Sequence, residues 1–517
     1  MRGESAIFRL SERRNARAFW LGSVVVSIGV ALHVPMFWMA RSHGFILSGM
    51  AMGPGMLLGM LLIVLGIFGA GHGLLPVRRS GVHPHRSFAP PEDAALTPEH
   101  WKLMAVLVVA LIIDIMKPAS LGFVTPGMRA EYGVGGDTVA LLPLSALFGT
   151  AVGSFVWGAL ADLYGRRASI LLSSVMFVGT SICGAMPSFW WNVAMCFLMG
   201  AAAGGMLPVA YALLAEIMPT KQRGWCLVLV GGLGTVGGYY AASELSALLQ
   251  PLFGWRIMWF LNMPTGLLLI ALSPLLPESA RFLQYLGRLD EATATLARFG
   301  AVIDGGAEPA QPRAAIRPLP GSLGMHVALT LTALTWGFVN FGVLLWLPST
   351  LVAEGRSVGL ASALIARSSL IAAPTVALSA YLYSAWSTKS SLILAIGITS
   401  LGLYAILLRD CGLFPFLSNP VSPLALLIVG SSSMISILLP YAAENYPLRV
   451  RARATGWVAG FSKIGGLIAQ TLSAFALVPA LGIAAASVAL AAGTAMLLVG
   501  VYGCETRGRD LRVLETR

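Results

Sequence analysis

Apolar runs long enough to cross a bilayer alternate with short polar stretches along almost the whole chain. They cover Ala18–Ala40, Phe45–Ala70, Leu103–Thr125, Val139–Leu163, Ala168–Met186, Trp190–Met218, Trp225–Leu249, Trp255–Leu276, Met325–Val352, Leu360–Leu382, Ser391–Leu408, Pro423–Tyr446, Ala452–Val478 and Leu481–Gly503. The pattern predicts an all-α membrane protein of 14 spans. The spacing gives a two-helix hairpin over 1–70, a linker over 71–101, a six-helix bundle over 102–277, a central connection over 278–324, a second six-helix bundle over 325–503 and a tail over 504–517. The first run contains Pro35 and Trp38, exceeds a signal-peptide core and lacks a small-residue cleavage pattern after it, so it reads as a retained helix.

Composition agrees, since 57% of the 517 residues are hydrophobic, only 11% are charged and mean hydropathy is +0.79. A net charge of +12 would suggest a polyanion partner in a soluble chain, but the basic residues follow the topology. With both termini inside, 26 Lys and Arg fall on the cytoplasmic side and five outside, namely Arg41, Arg129, Arg256, Arg356 and Arg409. Nucleic acid is therefore not expected as a partner. Cys183, Cys196, Cys226, Cys411 and Cys504 show no metal-ligand spacing, and no disulfide or zinc site is expected. His72, His83 and His85 in the linker, without cysteines or carboxylates beside them, read as a polar linker rather than metal ligands. His33 and Pro35 read as part of a simple membrane hairpin, a binding or sensing role being the alternative.

The chain repeats itself. Ala215-Glu216-x-x-Pro219-x-x-x-Arg223 returns as Ala443-Glu444-x-x-Pro447-x-x-x-Arg451, 228 residues later, and Pro277-Glu278-Ser279 is echoed by Cys504-Glu505-Thr506 at an offset of 227. Parallel duplication of six spans places a pseudo-two-fold axis along the membrane normal and a binding cavity between the halves.

Gly158-Ala159-Leu160-Ala161-Asp162-Leu163-Tyr164-Gly165-Arg166-Arg167 lies between the second and third bundle helices and resembles the signature loop of the major facilitator superfamily. Pro277-Glu278-Ser279-Ala280-Arg281-Phe282 and Tyr441-Ala442-Ala443-Glu444-Asn445-Tyr446-Pro447 resemble helix ends in its sugar-porter-like, organic-ion-transporter-like and metabolite:proton symporter-like members. The resemblance covers about Leu103 to Leu511 and implies a twelve-helix secondary transporter working as a monomer, without a cofactor, by alternating access. It implies a gate latch at Gly158, Asp162, Gly165, Arg166 and Arg167, with a solvated charged turn as the alternative. Glu216 with Arg223 and Glu444 with Arg451 are expected to join that gating. The second-half counterpart, Ala380 to Lys389, lacks the acid and both glycines, so an asymmetric latch is expected. Two departures limit the resemblance: Cys196 stands where many members carry an arginine, and Gly234 where drug antiporters need a proline.

Ionisable residues inside spans point to a pathway. Asp114 and Lys117 are three apart on one helix face beside Pro118, which is expected to break the helix locally. They read as proton acceptor and substrate-anion contact, or else as a structural ion pair. Arg367 and Lys463 add intramembrane cations, which favours an anionic substrate, the alternative being that Arg367 snorkels to water and Lys463 is internally paired. Trp336 and Asn340 are candidate cavity-wall residues; Trp346 is either cavity wall or packing. No phosphate loop or hydrolase motif is present, which argues against an enzyme or an ATP-driven pump. The resulting expectation is a bacterial inner-membrane transporter of a small organic anion in symport with protons, the alternatives being proton-coupled export of drugs or metabolites and a non-transporting sensor.

Overall fold

The computed structural model describes residues 15–75, 95–300, 322–412, 419–446 and 448–507, without the side chains of Thr220, Arg281, Tyr285, Ser322 and 448–453. His83, His85, Pro447 and the side chains of Arg449 and Arg451 lie outside the described residues. Those described are helical nearly throughout and contain no strand. Thirteen helices among them are long and apolar enough to cross a membrane: α1 (Ala16–His43), α2 (Pro54–Leu74), α3 (Pro98–Tyr132), α4 (Gly136–Tyr164), α5 (Arg166–Ala185), α6 (Phe189–Ile217), α7 (Lys221–Phe253), α8 (Ile257–Leu275), α10 (Leu323–Ala353), α11 (Val358–Trp386), α12 (Thr388–Asp410), α13 (Val421–Asn445) and α15 (Leu481–Tyr502). A short amphipathic helix, α9 (Leu289–Arg298), lies in the central connection. The all-α membrane fold stands; among the described residues thirteen helices reach that apolarity, against the fourteen spans expected. The remaining expected span corresponds to α14 (Leu448–Ala474), whose arginines, Lys463, Gln470 and glycines dilute its apolar side chains.

The chain forms two compact units. One draws on Met1–Asp114, Phe148–Arg223 and Leu252–Pro312, the other on Ile115–Leu147, Gly224–Pro251 and Arg313–Arg517. In the first, α1 and α2 form an antiparallel hairpin with a glycine seam. A Cβ on Gly22 would lie 2.4 Å from the Ala70 amide nitrogen, and one on Gly66 would lie 2.7 Å from the Gly22 carbonyl oxygen. Only residues without side chains permit that approach, which maximises dispersion contact where lipid supplies no hydrophobic drive. The hairpin packs on α5 and α8: Phe37 stacks on Phe45 at 4.8 Å and tilts against Phe260 at 4.9 Å. This cover leaves α5 the most buried of the thirteen apolar helices.

The second unit holds α10–α15 together with α7 and parts of α3 and α4. Gln250 on α7 donates to the Phe123 carbonyl of α3 at 3.1 Å and to Ser246 at 2.8 Å, and Ser246 meets Ser362 of α11 at 2.8 Å. All three side chains are buried, so the bonds to Phe123 and Ser362 tie helices where water offers no substitute.

Candidate functional site: two helix-end clusters and a polar seam

Gly165 ends α4 and starts α5 with φ 100°, a left-handed conformation suited to glycine. The turn presents the first amides of α5 to Glu278, whose Oε1 accepts from the Arg167 amide at 3.2 Å and from the Ser279 amide at 3.2 Å. A carboxylate there complements the positive end of the helix dipole. Beside it, Arg166 bridges Glu216 at 3.1 Å and Asp162 at 3.3 Å. Ser279 completes the cluster by donating to Glu216 while accepting from the Phe282 amide at 3.3 Å. Asp162 is 75% exposed, so its arm contributes little beside the sheltered Arg166–Glu216 pair. Nothing lies within 4 Å of a Cβ built on Gly158. Arg223 sits half-buried at the start of α7.

The second unit repeats this arrangement without the glycines. Glu505 caps α12 as Glu278 caps α5, accepting from the Thr388 amide at 2.9 Å, Thr388 Oγ1 at 2.6 Å, the Arg507 amide at 3.0 Å and Ser387 Oγ. Glu444 takes the place of Glu216, receiving Tyr383 Oη and Thr506 Oγ1, both at 2.7 Å. The Tyr383 hydroxyl therefore takes the part that Arg166 plays in the first unit, while Thr506 repeats the hydroxyl of Ser279. The expected asymmetry is one of chemistry, with placement conserved between the copies. Desolvation works to raise the Glu505 carboxyl, but the hydrogen bonds from Ser387, Thr388 and the two amides together outweigh it and hold the pKa at about 2. A depressed carboxyl stabilises the fold above its unfolded value of 4.5, and that contribution is lost as pH falls toward about 2. Hydrogen-exchange protection of the first α12 amides is expected to stay constant above pH 4.5 and to decline below it. Glu505→Gln should lower protection at neutral pH and remove the acid-dependent loss; an unchanged acid profile would assign it to another group.

A polar seam lies within the second unit where α10 widens into a π-helical segment, Val339–Val343. Such a segment disturbs the regular carbonyl ladder and recurs at functional sites. Here Tyr239 Oη lies 3.0 Å from both the Asn340 carbonyl and Asn340 Oδ1, and Gln470 Nε2 donates to the Phe341 carbonyl. Trp336 donates its indole N–H to the Ser431 carbonyl at 2.9 Å and meets the edge of Phe341 at 5.6 Å. Lys463 Nζ lies 4.8 Å from the Phe341 ring centroid, a cation–π distance. A Cβ on Gly337 would fall 1.9 Å from the Ser462 carbonyl oxygen, so this glycine lets α14 bring Lys463 against α10. The seam unites Trp336, Asn340 and Lys463 and adds Tyr239, Phe341, Ser431 and Gln470. Its hydrogen bonds span 95 to 129 residues, and Tyr239 and Gln470 carry no charge that would single them out in the sequence.

Lys117 is 1% exposed and Asp114 half-buried, both on α3. Contrary to the break expected at Pro118, α3 runs uninterrupted through it and Pro126. Apolar packing holds the helix course; what Pro118 removes is the N–H that the Asp114 carbonyl would otherwise accept. Arg367 is exposed on a row of α11 with Leu360, Leu370 and Ile371 and is not buried in the seam. Trp346 packs edge-on against Phe338 at 6.1 Å.

Residues 104–470 match the family model of the Major Facilitator Superfamily. Similar proteins include the niacin transporter NiaP of Acinetobacter baylyi, 25% identical over 72% of this chain and 85% of its own length. The benzoate transport protein of the same organism is 25% identical over 75% of this chain and 85% of its own length. The synaptic vesicle 2-related protein of Pongo abelii is 28% identical over 80% and 79%. The fold resembles that of the E. coli xylose transporter XylE in a partially occluded inward open conformation, with a TM-score of 0.64 and 17% identity over 80% of this chain and 100% of that one. The chain belongs to the Major Facilitator Superfamily and is a multi-span membrane transporter, not an enzyme.

Proposed function

We propose that the protein moves a small aromatic carboxylate in symport with protons, by alternating access of the halves 102–277 and 325–503. The observation that carries this reading is the seam, where the Lys463 ammonium stands over the Phe341 ring amid Trp336, Tyr239 and Asn340. An ammonium offers charge to a carboxylate, while the aromatic side chains offer apolar surface to a planar ring. The niacin and benzoate named for two relatives are both aromatic acids, which supports the same substrate class. Asp114 is the proposed proton acceptor and Lys117 the second contact for the anion. Gly158, Asp162, Gly165, Arg166, Arg167, Glu216, Arg223, Glu444 and Arg451 are proposed to gate. Arg367, exposed on α11, is better read as reaching toward water or headgroups than as meeting the substrate. The charge bias along the sequence supports both termini in the cytoplasm, and the reading places a monomer in a bacterial inner membrane.

Equilibrium binding of radiolabelled benzoate and nicotinate to the purified protein tests the seam. Lys463→Gln is expected to weaken binding about tenfold or more, the scale of one lost charge-assisted contact. Equal affinity in wild type and variant would remove Lys463, and with it the seam, from the substrate site.

A further inference from the structure

The turn end of the hairpin α1–α2 is rich in methionine. Residues 33–60, about a twentieth of the chain, carry Met36, Met39, Met50, Met52, Met56 and Met60, six of its 21 methionines. Met56 and Met60 are four apart on α2 and share one of its faces. Met36 and Met56 are buried, and Met50, Met52 and Met60 pack half-buried against the same apolar cluster. The turn between the two helices is pinned by Phe45. Its backbone sits at φ 62°, while its buried ring stacks on Phe37 at 4.8 Å and meets the edge of Phe253 at 5.9 Å. A bulky residue keeps that conformation only where its surroundings fix it.

His33, at the same end of the hairpin, has an unused ring nitrogen. The side chain is buried, and its Nδ1 lies 2.8 Å from the Gly29 carbonyl oxygen. A carbonyl only accepts, so Nδ1 carries the proton and Nε2 presents a lone pair. That nitrogen is buried without a hydrogen-bond partner, which is unfavourable in an apolar interior. A Cβ on Gly59 would fall 2.6 Å from His33 Cε1 and 2.9 Å from Nδ1, so the imidazole lies in the seam between α1 and α2. Along α2, Met56 precedes Gly59 by about one turn and Met60 follows it directly; along α1, Met36 is about one turn beyond His33. An imidazole that donates one N–H to a backbone carbonyl and keeps its other nitrogen bare has the orientation of a metal-ligating histidine.

The donor set selects the metal. Residues 15–75 contain no aspartate, glutamate or cysteine, and among the described residues no group of three or more His, Cys, Asp and Glu could hold a metal ion. Hard cations and zinc therefore lack their ligands. Thioethers select Cu(I), whose single charge needs no carboxylate beside it, and imidazole also suits copper. We propose that His33 Nε2 and the thioether sulfurs of Met36, Met56 and Met60 form a Cu(I) site, entered past Met50 and Met52. The site lies within one compact unit and outside the family match, so its test stands apart from the transport reading.

Competition for Cu(I) against bathocuproine disulfonate reads the affinity, using the full chain in detergent with ascorbate and without oxygen. X-ray absorption at the copper edge reads the ligands. Wild type is expected to hold a single Cu(I) with both sulfur and nitrogen scatterers. Met36→Leu and Met56→Leu should each weaken binding about tenfold or more, and His33→Gln should do the same and remove the nitrogen scatterer. Leucine conserves the volume of methionine at little cost in stability, so a melting temperature close to wild type separates a lost ligand from a lost fold. Met434→Leu, at a buried methionine of the second unit, should bind as wild type does. No Cu(I) retained against the competitor would overturn the proposal. Equal affinity in wild type and the three hairpin variants, or Zn(II) held as tightly as Cu(I), would overturn it as well.

Discussion

Gly165→Ala is expected to uncouple the start of α5 from Glu278, lowering the stability of that corner by about 4 kcal/mol or more. Two effects add. An L side chain at φ 100° costs about 1–3 kcal/mol by itself. The new Cβ would also lie 2.5 Å from Glu278 Oε2 and 2.7 Å from Oε1. The carboxylate is the end of a flexible side chain and can move, but moving it breaks its bonds to the Arg167 and Ser279 amides. Bonds to a charged acceptor contribute about 1.5–3 kcal/mol each. The matched control is Gly158→Ala, where the added methyl meets nothing within 4 Å. Thermal unfolding in detergent, with hydrogen exchange over the first turn of α5, checks both. The alanine at 165 should lower the melting temperature and expose those amides, and the alanine at 158 should leave them as they are. Equal behaviour of the two variants would show that the Glu278 cap contributes little.

Asp114→Asn is expected to abolish solute accumulation driven by a proton gradient while leaving exchange of labelled for unlabelled solute intact. The amide keeps the shape of the carboxyl but takes up and releases no proton. Lys117→Ala should instead weaken apparent affinity about tenfold or more, since Lys117 is 1% exposed and any anion reaching it meets a charge little screened by water. Proteoliposome exchange and accumulation assays on the same preparations separate these effects. If both variants lose folded protein instead, Asp114 and Lys117 form the structural ion pair that their spacing also allows.

Most of the fold was legible because a membrane helix must be apolar over a bilayer's thickness, and Leu103–Thr125 or Leu481–Gly503 therefore announce themselves. Helix ends were less so: α3 begins at Pro98 and continues to Tyr132, since residues in the polar interface need not be apolar. The polar rule that defined the central connection also concealed α9, although Asp290 and Glu291 in its first turn and Arg298 in its last complement the helix dipole. The first helix-end cluster was readable from its charged loop, and the Glu278–Glu505 echo pointed to the caps. The hydroxyls of Ser387, Thr388 and Thr506 carry no charge pattern and emerged only when folding placed them on Glu505 and Glu444. Tyr239 likewise meets Asn340 across 101 residues, a distance over which local periodicity is silent. The glycines at 22, 29, 59, 66 and 73 close the hairpin seam in the structure, and no local pattern announced either that seam or its docking on α5.

The most direct test of the account is uptake of radiolabelled benzoate and nicotinate into proteoliposomes containing the full chain, with and without an imposed inward proton gradient. The account predicts gradient-driven accumulation above the external concentration that collapses when a protonophore is added. No accumulation of either acid under any gradient, with the protein folded and inserted, would contradict it.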